Sequence, residues 1–102
     1  MPRFILADSA KSDINEILTA IIPENENAAW EWYFALQKTL GTLAHSPLIG
    51  RVRDELLPEV RMFPFGNYLI FYDVIQGGIQ VVHVVHGARD VRRMFAQDNG
   101  IS

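Results

Sequence analysis

The segment "HVVHGARD", residues 83–90, gathers the side chains of this chain that are best suited to chemistry. It places His83 and His86 next to Arg89 and Asp90. Imidazole groups exchange protons near neutral pH, and a guanidinium group binds phosphate or carboxylate through two parallel hydrogen bonds. The residue types therefore suit acid–base chemistry on a phosphodiester, metal binding or recognition of an anion.

The spacing of the two histidines argues against a shared site. They are three residues apart, so on a regular β-strand their side chains point to opposite faces. The chain has no cysteine and no pair of histidines at helical i, i+4 spacing, which removes the common zinc ligand sets. We predict no metal and no cofactor, and we expect each histidine to form local hydrogen bonds at the end of its strand.

Length and composition favour one small domain over residues 1–102. No apolar run reaches the roughly 20 residues that a membrane-spanning helix needs, and the absence of cysteine fits a cytoplasmic protein. The net charge is −3, which disfavours general nucleic-acid binding. All six basic residues after residue 50 are arginines, so a local anion-binding patch is still compatible with the sequence.

The first half of the chain predicts a strand followed by two helices. "RFILA", residues 3–7, has the length and apolar content of a short strand. Ser9 is placed to cap a helix whose isoleucines and leucines recur with helical period until Pro23. A second helix is expected from Asn25 or Asn27 to His45, and the short connection between the two helices predicts an antiparallel hairpin.

The second half predicts three strands, at about 59–64, 67–75 and 79–86, joined by glycine-containing turns into an antiparallel meander. A short helix over about 89–97 follows. The fold class is therefore α+β. The second and third strands are apolar on both faces, which indicates a sheet that is covered on both sides. The helical hairpin covers one side only, so we expect part of the other face to be covered by a partner.

This order of elements resembles that of the RelE/ParE superfamily of bacterial toxins, and the local motifs are similar to those of the ParE branch. The motifs are "DSAKSDINEI", "AAWEWYFAL", "SPLIGRVRDEL", "VRMFPFGNYLIFYDV" and "VVHVVHGARD". The resemblance extends over nearly the whole chain.

The resemblance implies a toxin of a type II toxin–antitoxin system that arrests growth by binding and inhibiting DNA gyrase. It also implies a ParD-like antitoxin whose DNA-binding N-terminal part contacts the operator and whose C-terminal segment wraps the toxin and neutralises it. The toxin itself would reach operator DNA only through that antitoxin. An antitoxin with an acidic tail would suit the arginines of the second half of the chain.

A ribosome-dependent mRNA endoribonuclease, the activity of RelE-like relatives, is the first alternative. Those enzymes carry basic residues on the strands and a tyrosine near the C-terminus. Here Leu69 stands where an arginine would follow the middle-strand tyrosine, and Phe95 stands in the region of the C-terminal tyrosine. If the chain were an enzyme, its catalytic residues would be Arg61, His83 and His86. The predicted gyrase inhibitor has none.

Binding of the target or the antitoxin is assigned instead to a set of surface candidates. Trp30 and Phe34 lie at i and i+4 on the second helix, rotated away from its inward stripe, as aromatic anchors of an interface would be. The other candidates are Arg61, Tyr72, Arg89, Arg92 and Arg93. A third class, a non-toxic interaction protein on the same scaffold, is compatible with the same residues.

Overall fold

Three helices and a five-stranded sheet form the chain in a computed structural model that describes residues 2–98. The helices are α1 (Asp8–Ile21), α2 (Glu26–His45) and α3 (Val91–Asp98). The strands are β1 (Arg3–Leu6), β2 (Arg51–Val52), β3 (Arg61–Phe65), β4 (Tyr68–Ile75) and β5 (Gly78–His86). A single 3₁₀ turn, Pro47–Ile49, joins α2 to β2. The predicted α+β class, helical hairpin, meander and short last helix are confirmed.

The sheet has the order β1-β5-β4-β3-β2, with β1 parallel to β5 and the other pairs antiparallel. Parallel pairing of β1 requires a close approach at Gly78, where a Cβ atom would overlap the carbonyl oxygen of Arg3. Glycine is the residue type that permits such an approach between two backbones. The two-residue strand β2 was not predicted, because a strand of that length has no detectable alternation.

The starts of α1 and α2 differ in how they are capped. Asn25, one of the two predicted starts of α2, caps that helix, because its Oδ1 accepts a hydrogen bond from the amide of Ala28 at 3.0 Å. The prediction that Ser9 caps α1 is wrong. That helix begins two residues earlier, at Asp8 with Ala7 in the cap position, and the Ser9 hydroxyl donates to the carbonyl of Val82 in β5 at 2.6 Å. Ser9 therefore joins the helix to the sheet.

The helical hairpin packs on one face of the sheet, as the period of its apolar residues predicts. Its buried contacts come from Ile14 of α1 and from Leu36, Leu40 and Leu43 of α2. These residues pack against apolar side chains of β4 and β5, with Ile70 and Tyr72 at the centre. The hairpin therefore covers the face of β4 that carries Ile70 and Tyr72.

A second core lies on the opposite face of the sheet. Phe71 and Val85 are buried there beneath Leu56 and Val60 of the loop before β3 and beneath Met94 and Phe95 of α3. A partner was expected to cover part of this face, but the chain itself covers the centre of it. The loop of residues 53–60, which was not expected to fold back, supplies the missing cover together with α3.

A β-bulge interrupts the alternation of β5. Phe71 of β4 pairs with His83 and Tyr72 pairs with Val81, so Val82 is the extra residue. The side chains of Val81 and Val84 consequently face the hairpin, whereas Val82 and Val85 contribute to the second core. Regular alternation would place Val81, His83 and Val85 on one face, but from His83 onward the bulge reverses the faces.

Candidate functional site

The two histidines of β5 lie on opposite faces of the sheet, as their spacing predicts. The ring of His83 is buried and packs against Phe95 of α3, with ring centroids 5.4 Å apart. His86 is exposed and packs against Tyr68 on the hairpin side, with centroids 5.6 Å apart. The bulge at Val82 precedes both histidines, so it does not change their relation to each other.

His83 is held by an acidic residue of α1. Its Nδ1 lies 2.6 Å from Oδ2 of Asp13, and the same carboxylate oxygen accepts the backbone N–H of Val84 at 3.0 Å. Asp13 thus binds a side chain and a backbone group of β5 at once. These contacts link α1, β5 and α3 around one buried imidazole, whose bound carboxylate is 70 positions away in the chain.

Arg61, the third candidate for catalysis, lies elsewhere and is engaged with the backbone. Its Nη1 donates to the carbonyls of Leu48 and Gly50 at 3.2 and 2.7 Å. Arg61 pairs with Tyr72 across β3 and β4, whereas His86 pairs with Tyr68 at the start of β4. The three candidate catalytic residues therefore do not converge on one point.

Tyr72, the cross-strand neighbour of Arg61, binds the same segment around the 3₁₀ turn. Its ring is fully buried, and its hydroxyl accepts the N–H of Gly50 at 2.9 Å and donates to the carbonyl of Pro47 at 2.7 Å. Burial raises the pKa of Tyr72, although the hydrogen bond from Gly50 and the charge of Arg61 oppose that shift. A Cβ atom at Gly50 would overlap the hydroxyl. Tyr72 was predicted to contact a partner, but these internal contacts give it the role of holding the 3₁₀ turn in position.

Asp90 precedes α3 and caps it, because its Oδ1 accepts the N–H of Arg93 at 3.2 Å. The helix therefore begins at Val91, two residues later than predicted. Asp90 forms no ion pair with an arginine among residues 2–98, where the only Lys or Arg ion pair joins Arg53 to Glu55 at 2.7 Å. That hydrogen bond lowers the pKa of Glu55.

The three arginines around α3 are exposed. The side chains of Arg89, Arg92 and Arg93 form no ion pair within the described part of the chain. Guanidinium groups without an internal partner are available to an acidic segment of another molecule. The predicted binding role of these arginines is compatible with their positions.

Trp30 and Phe34 form an exposed aromatic pair on the outer side of α2. Their side chains are 45% and 65% exposed, and their ring centroids are 6.3 Å apart. The Trp30 ring also packs edge-on against the Tyr33 ring, with centroids 6.2 Å apart, so a third aromatic side chain contacts the pair. Both aromatic residues are therefore accessible, as the hypothesis of an interface anchor requires.

Two grooves lie on either side of α1. The aromatic groove, of about 430 Å³, runs between α1 and α2 and is lined by Leu6, Lys11, Ile14, Leu18, Trp30 and Tyr33. The β5 groove, of about 260 Å³, lies between the other side of α1 and the end of β5, where Ile17, Ile21, Tyr68, Val84 and Arg89 line it. The outer surface of α1 separates the two grooves.

A third groove, which was not predicted, lies beside the short strand β2. This β2 groove has a volume of about 570 Å³, and its lining includes Leu48, Val52, Glu59, Arg61, Asp73 and Val74. Leu48 is 69% exposed, and Val52 and Val74 are also exposed. In the sequence, only Pro47 and the following two aliphatic residues mark this region, and that pattern does not distinguish a surface turn from a buried one.

The described residues include no group of three or more His, Cys, Asp or Glu side chains arranged to bind a metal ion. No helix among them is long and apolar enough to cross a membrane. What the structure offers is therefore a set of surfaces: an aromatic pair, three grooves and an arginine-bearing helix.

Comparison with known proteins identifies the fold and the family. The solved structures include a similar chain from the chromosomal ParDE toxin–antitoxin system of P. aeruginosa, with a TM-score of 0.70 at 16% sequence identity. The match covers 84% of this chain and 96% of that one, which establishes the common fold. No curated protein sequence is detectably similar. The model of the family described as "ParE toxin of type II toxin-antitoxin system, parDE" matches residues 4–91, and the chain therefore belongs to the ParE toxin family.

Proposed function

We propose that this ParE-family toxin arrests growth by binding and inhibiting DNA gyrase in the cytoplasm, and that a ParD-like antitoxin neutralises it. Family membership carries the proposal. The geometry favours inhibition through a surface, because the residues that a ribonuclease would use are separated. His83 is buried against Asp13, and Arg61 donates to backbone carbonyls two strands away.

The antitoxin is proposed to lie across α1. A C-terminal antitoxin segment that fills the aromatic groove and the β5 groove would bury the exposed ring of Trp30 on one side and reach Arg89 on the other. Aromatic residues at the centre of an interface commonly contribute 2 kcal/mol or more each. Acidic residues of the segment would pair with Arg92 and Arg93, which have no ion-pair partner within the described residues.

The proposed target is tested with purified chain and purified gyrase. We expect inhibition of supercoiling or accumulation of gyrase-cleaved DNA, and we expect prior addition of the antitoxin to abolish the effect. Ribosome-bound mRNA incubated with the chain provides the comparison. Cleavage of that mRNA while gyrase stays active would favour the endoribonuclease and refute the gyrase proposal. Normal growth after expression without the antitoxin would favour a non-toxic interaction protein.

The proposed antitoxin surface is tested by isothermal titration with Trp30→Ser, because the exposed Trp30 ring lines the aromatic groove. Loss of this anchor should weaken antitoxin binding by at least about 10-fold. Ile22→Ser is the control, because Ile22 is also a large exposed apolar residue but lines none of the three grooves. Equal affinity of the two variants for the antitoxin would refute the assignment of the antitoxin to the aromatic groove.

A further inference from the structure

The β2 groove exposes aliphatic side chains at a defined position. Eight large hydrophobic residues of the described chain are exposed, and four of them lie at this edge of the sheet: Leu48, Ile49, Val52 and Val74. Clustered exposed apolar residues commonly mark a protein-binding surface, whereas scattered ones do not.

The turn that presents Leu48 and Ile49 is held rigidly. Tyr72 binds the turn at Pro47 and Gly50 through one buried hydroxyl, and Arg61 binds the carbonyls of Leu48 and Gly50. Four hydrogen bonds to a short exposed segment reduce the conformational entropy that a partner would have to remove on binding. Rigid display of exposed leucine and isoleucine is expected of an interface and is unfavourable for a surface with no partner.

The charges of the lining residues indicate which kind of partner the β2 groove would bind. Three carboxylates line it, those of Asp54, Glu59 and Asp73, and Arg61 is the one lysine or arginine among its lining residues. None of these four side chains takes part in an ion pair within residues 2–98. The lining therefore carries a net charge of about −2, from three acids and one base.

The backbone conformation of Glu59 and the raised pKa of Asp73 are both consistent with a groove that binds a cation. Burial, and to a lesser extent the charge of Glu59, raises the pKa of Asp73, so a nearby cation would favour its charged form. Glu59 has a left-handed backbone, with φ of 66°, and its N–H is bound by Asp54 Oδ1 at 2.8 Å. That conformation is unfavourable for a residue other than glycine, asparagine or aspartate, yet it keeps the Glu59 carboxylate beside the groove.

We propose that the β2 groove binds a segment of the toxin's target in which a lysine or arginine is flanked by aliphatic residues, and that the antitoxin binds elsewhere. The inference rests on the proposed function, because it divides the toxin surface between the two expected partners. An acidic antitoxin tail suits the arginines of α3 and is repelled by a groove of charge about −2. The aliphatic walls provide apolar contact for the partner, and the carboxylates select a basic segment.

The test compares two functions in the same variants. Leu48→Ser removes the most exposed aliphatic side chain of the groove without changing its charge, and Asp73→Asn removes a charge with little change in shape. Matched controls are Ile22→Ser and Glu24→Gln, both at exposed positions outside the three grooves. Supercoiling inhibition measures target binding, titration calorimetry measures antitoxin binding, and circular dichroism establishes that each variant is folded.

We expect Leu48→Ser to raise the concentration that half-inhibits gyrase by about 10-fold and Asp73→Asn to raise it by about threefold. Both variants should bind the antitoxin within twofold of the parent chain, and both controls should match the parent in both assays. Raising the salt concentration should weaken inhibition by the parent more than by Asp73→Asn, because it screens the carboxylate–cation attraction.

Two results would overturn the inference while leaving the proposed function intact. One is unchanged gyrase inhibition by Leu48→Ser, and the other is a loss of antitoxin affinity as large as the loss of inhibition. If the parent chain leaves gyrase unaffected, the proposed target is wrong, and growth arrest then replaces supercoiling as the readout of target binding. Full growth arrest by Leu48→Ser would refute the groove in that case, and loss of arrest would support it. A parent chain that does not arrest growth would refute both proposals.

Discussion

Replacement of Tyr72 by phenylalanine removes one hydroxyl from the buried contact that holds the 3₁₀ turn. The ring stays in its place between the hairpin and the sheet, so the change isolates the two hydrogen bonds to Gly50 and Pro47. The amide of Gly50 is in a buried residue and would lose its acceptor, which costs about 1–3 kcal/mol. Pro47 is only half-buried, so water can reach its carbonyl, and that loss is about 0.5–1 kcal/mol.

The expected loss for Tyr72→Phe is therefore about 2.5 kcal/mol of unfolding free energy, or a fall in Tm of roughly 10–20 °C for a domain of this size. Urea denaturation followed by circular dichroism at pH 7 measures it. Tyr33→Phe is the matched control, because the Tyr33 hydroxyl has no hydrogen bond within the described residues, and we expect a change below about 0.5 kcal/mol. Equal stability of the two variants would refute the role given to Tyr72.

The pH dependence of stability provides an independent check on the same residue. Burial raises the pKa of Tyr72 above the ordinary value of about 10, so the unfolded chain releases this proton before the folded chain does. The stabilisation from this shift is fully present below pH 10 and is lost as pH rises through the folded-state pKa. We expect the difference in stability between the parent chain and Tyr72→Phe to shrink above about pH 10. A difference that grows with pH would contradict the assigned direction.

Three further substitutions test other parts of the fold. Asp13→Ala should lower the unfolding free energy, measured in urea, by about 2–4 kcal/mol, because His83 and the N–H of Val84 lose their hydrogen-bond partner. Asp13→Asn should lower it less, and equal losses in the two variants would contradict a charged contact. Gly78→Ala should detach β1, seen as faster amide exchange at Ile5 and Ala7, since its Cβ overlaps a carbonyl of β1; unchanged exchange rates would disprove the close approach. Glu59→Asn should raise the unfolding free energy by about 0.5–1 kcal/mol, because asparagine tolerates positive φ, and a lower Tm would argue against backbone strain there.

The sequence predicted those elements whose stabilising contacts are local in the chain. The helical period and the Asn25 cap depend on residues three or four positions apart, and the turns of the meander depend on adjacent glycines. The β-bulge was not predicted, because the valines around His83 fit either face of a sheet. The bond from Ser9 to Val82 was also missed, since it joins residues 73 positions apart.

The candidate site was predicted less well than the fold, for a related reason. The exposed positions of Trp30 and Phe34 follow from the phase of one helix, which the sequence contains. Whether Tyr72 is a surface contact or a buried support depends on how the 3₁₀ turn packs over β4, which is tertiary information. The β2 groove likewise exists only after the chain before β3 has folded back.

The side chains of α1 that bind β5 have a consequence for the solubility of the free toxin. β5 has nine residues and its parallel partner β1 has four, so the outward backbone groups of β5 continue beyond the end of β1. An uncovered strand edge of this kind is a template for pairing with other chains and for aggregation. Ser9 and Asp13 instead bind the carbonyl of Val82 and the N–H of Val84. Without any partner, the chain thus keeps this edge closed with its own helix, and loss of Asp13 would favour self-association as well as unfolding.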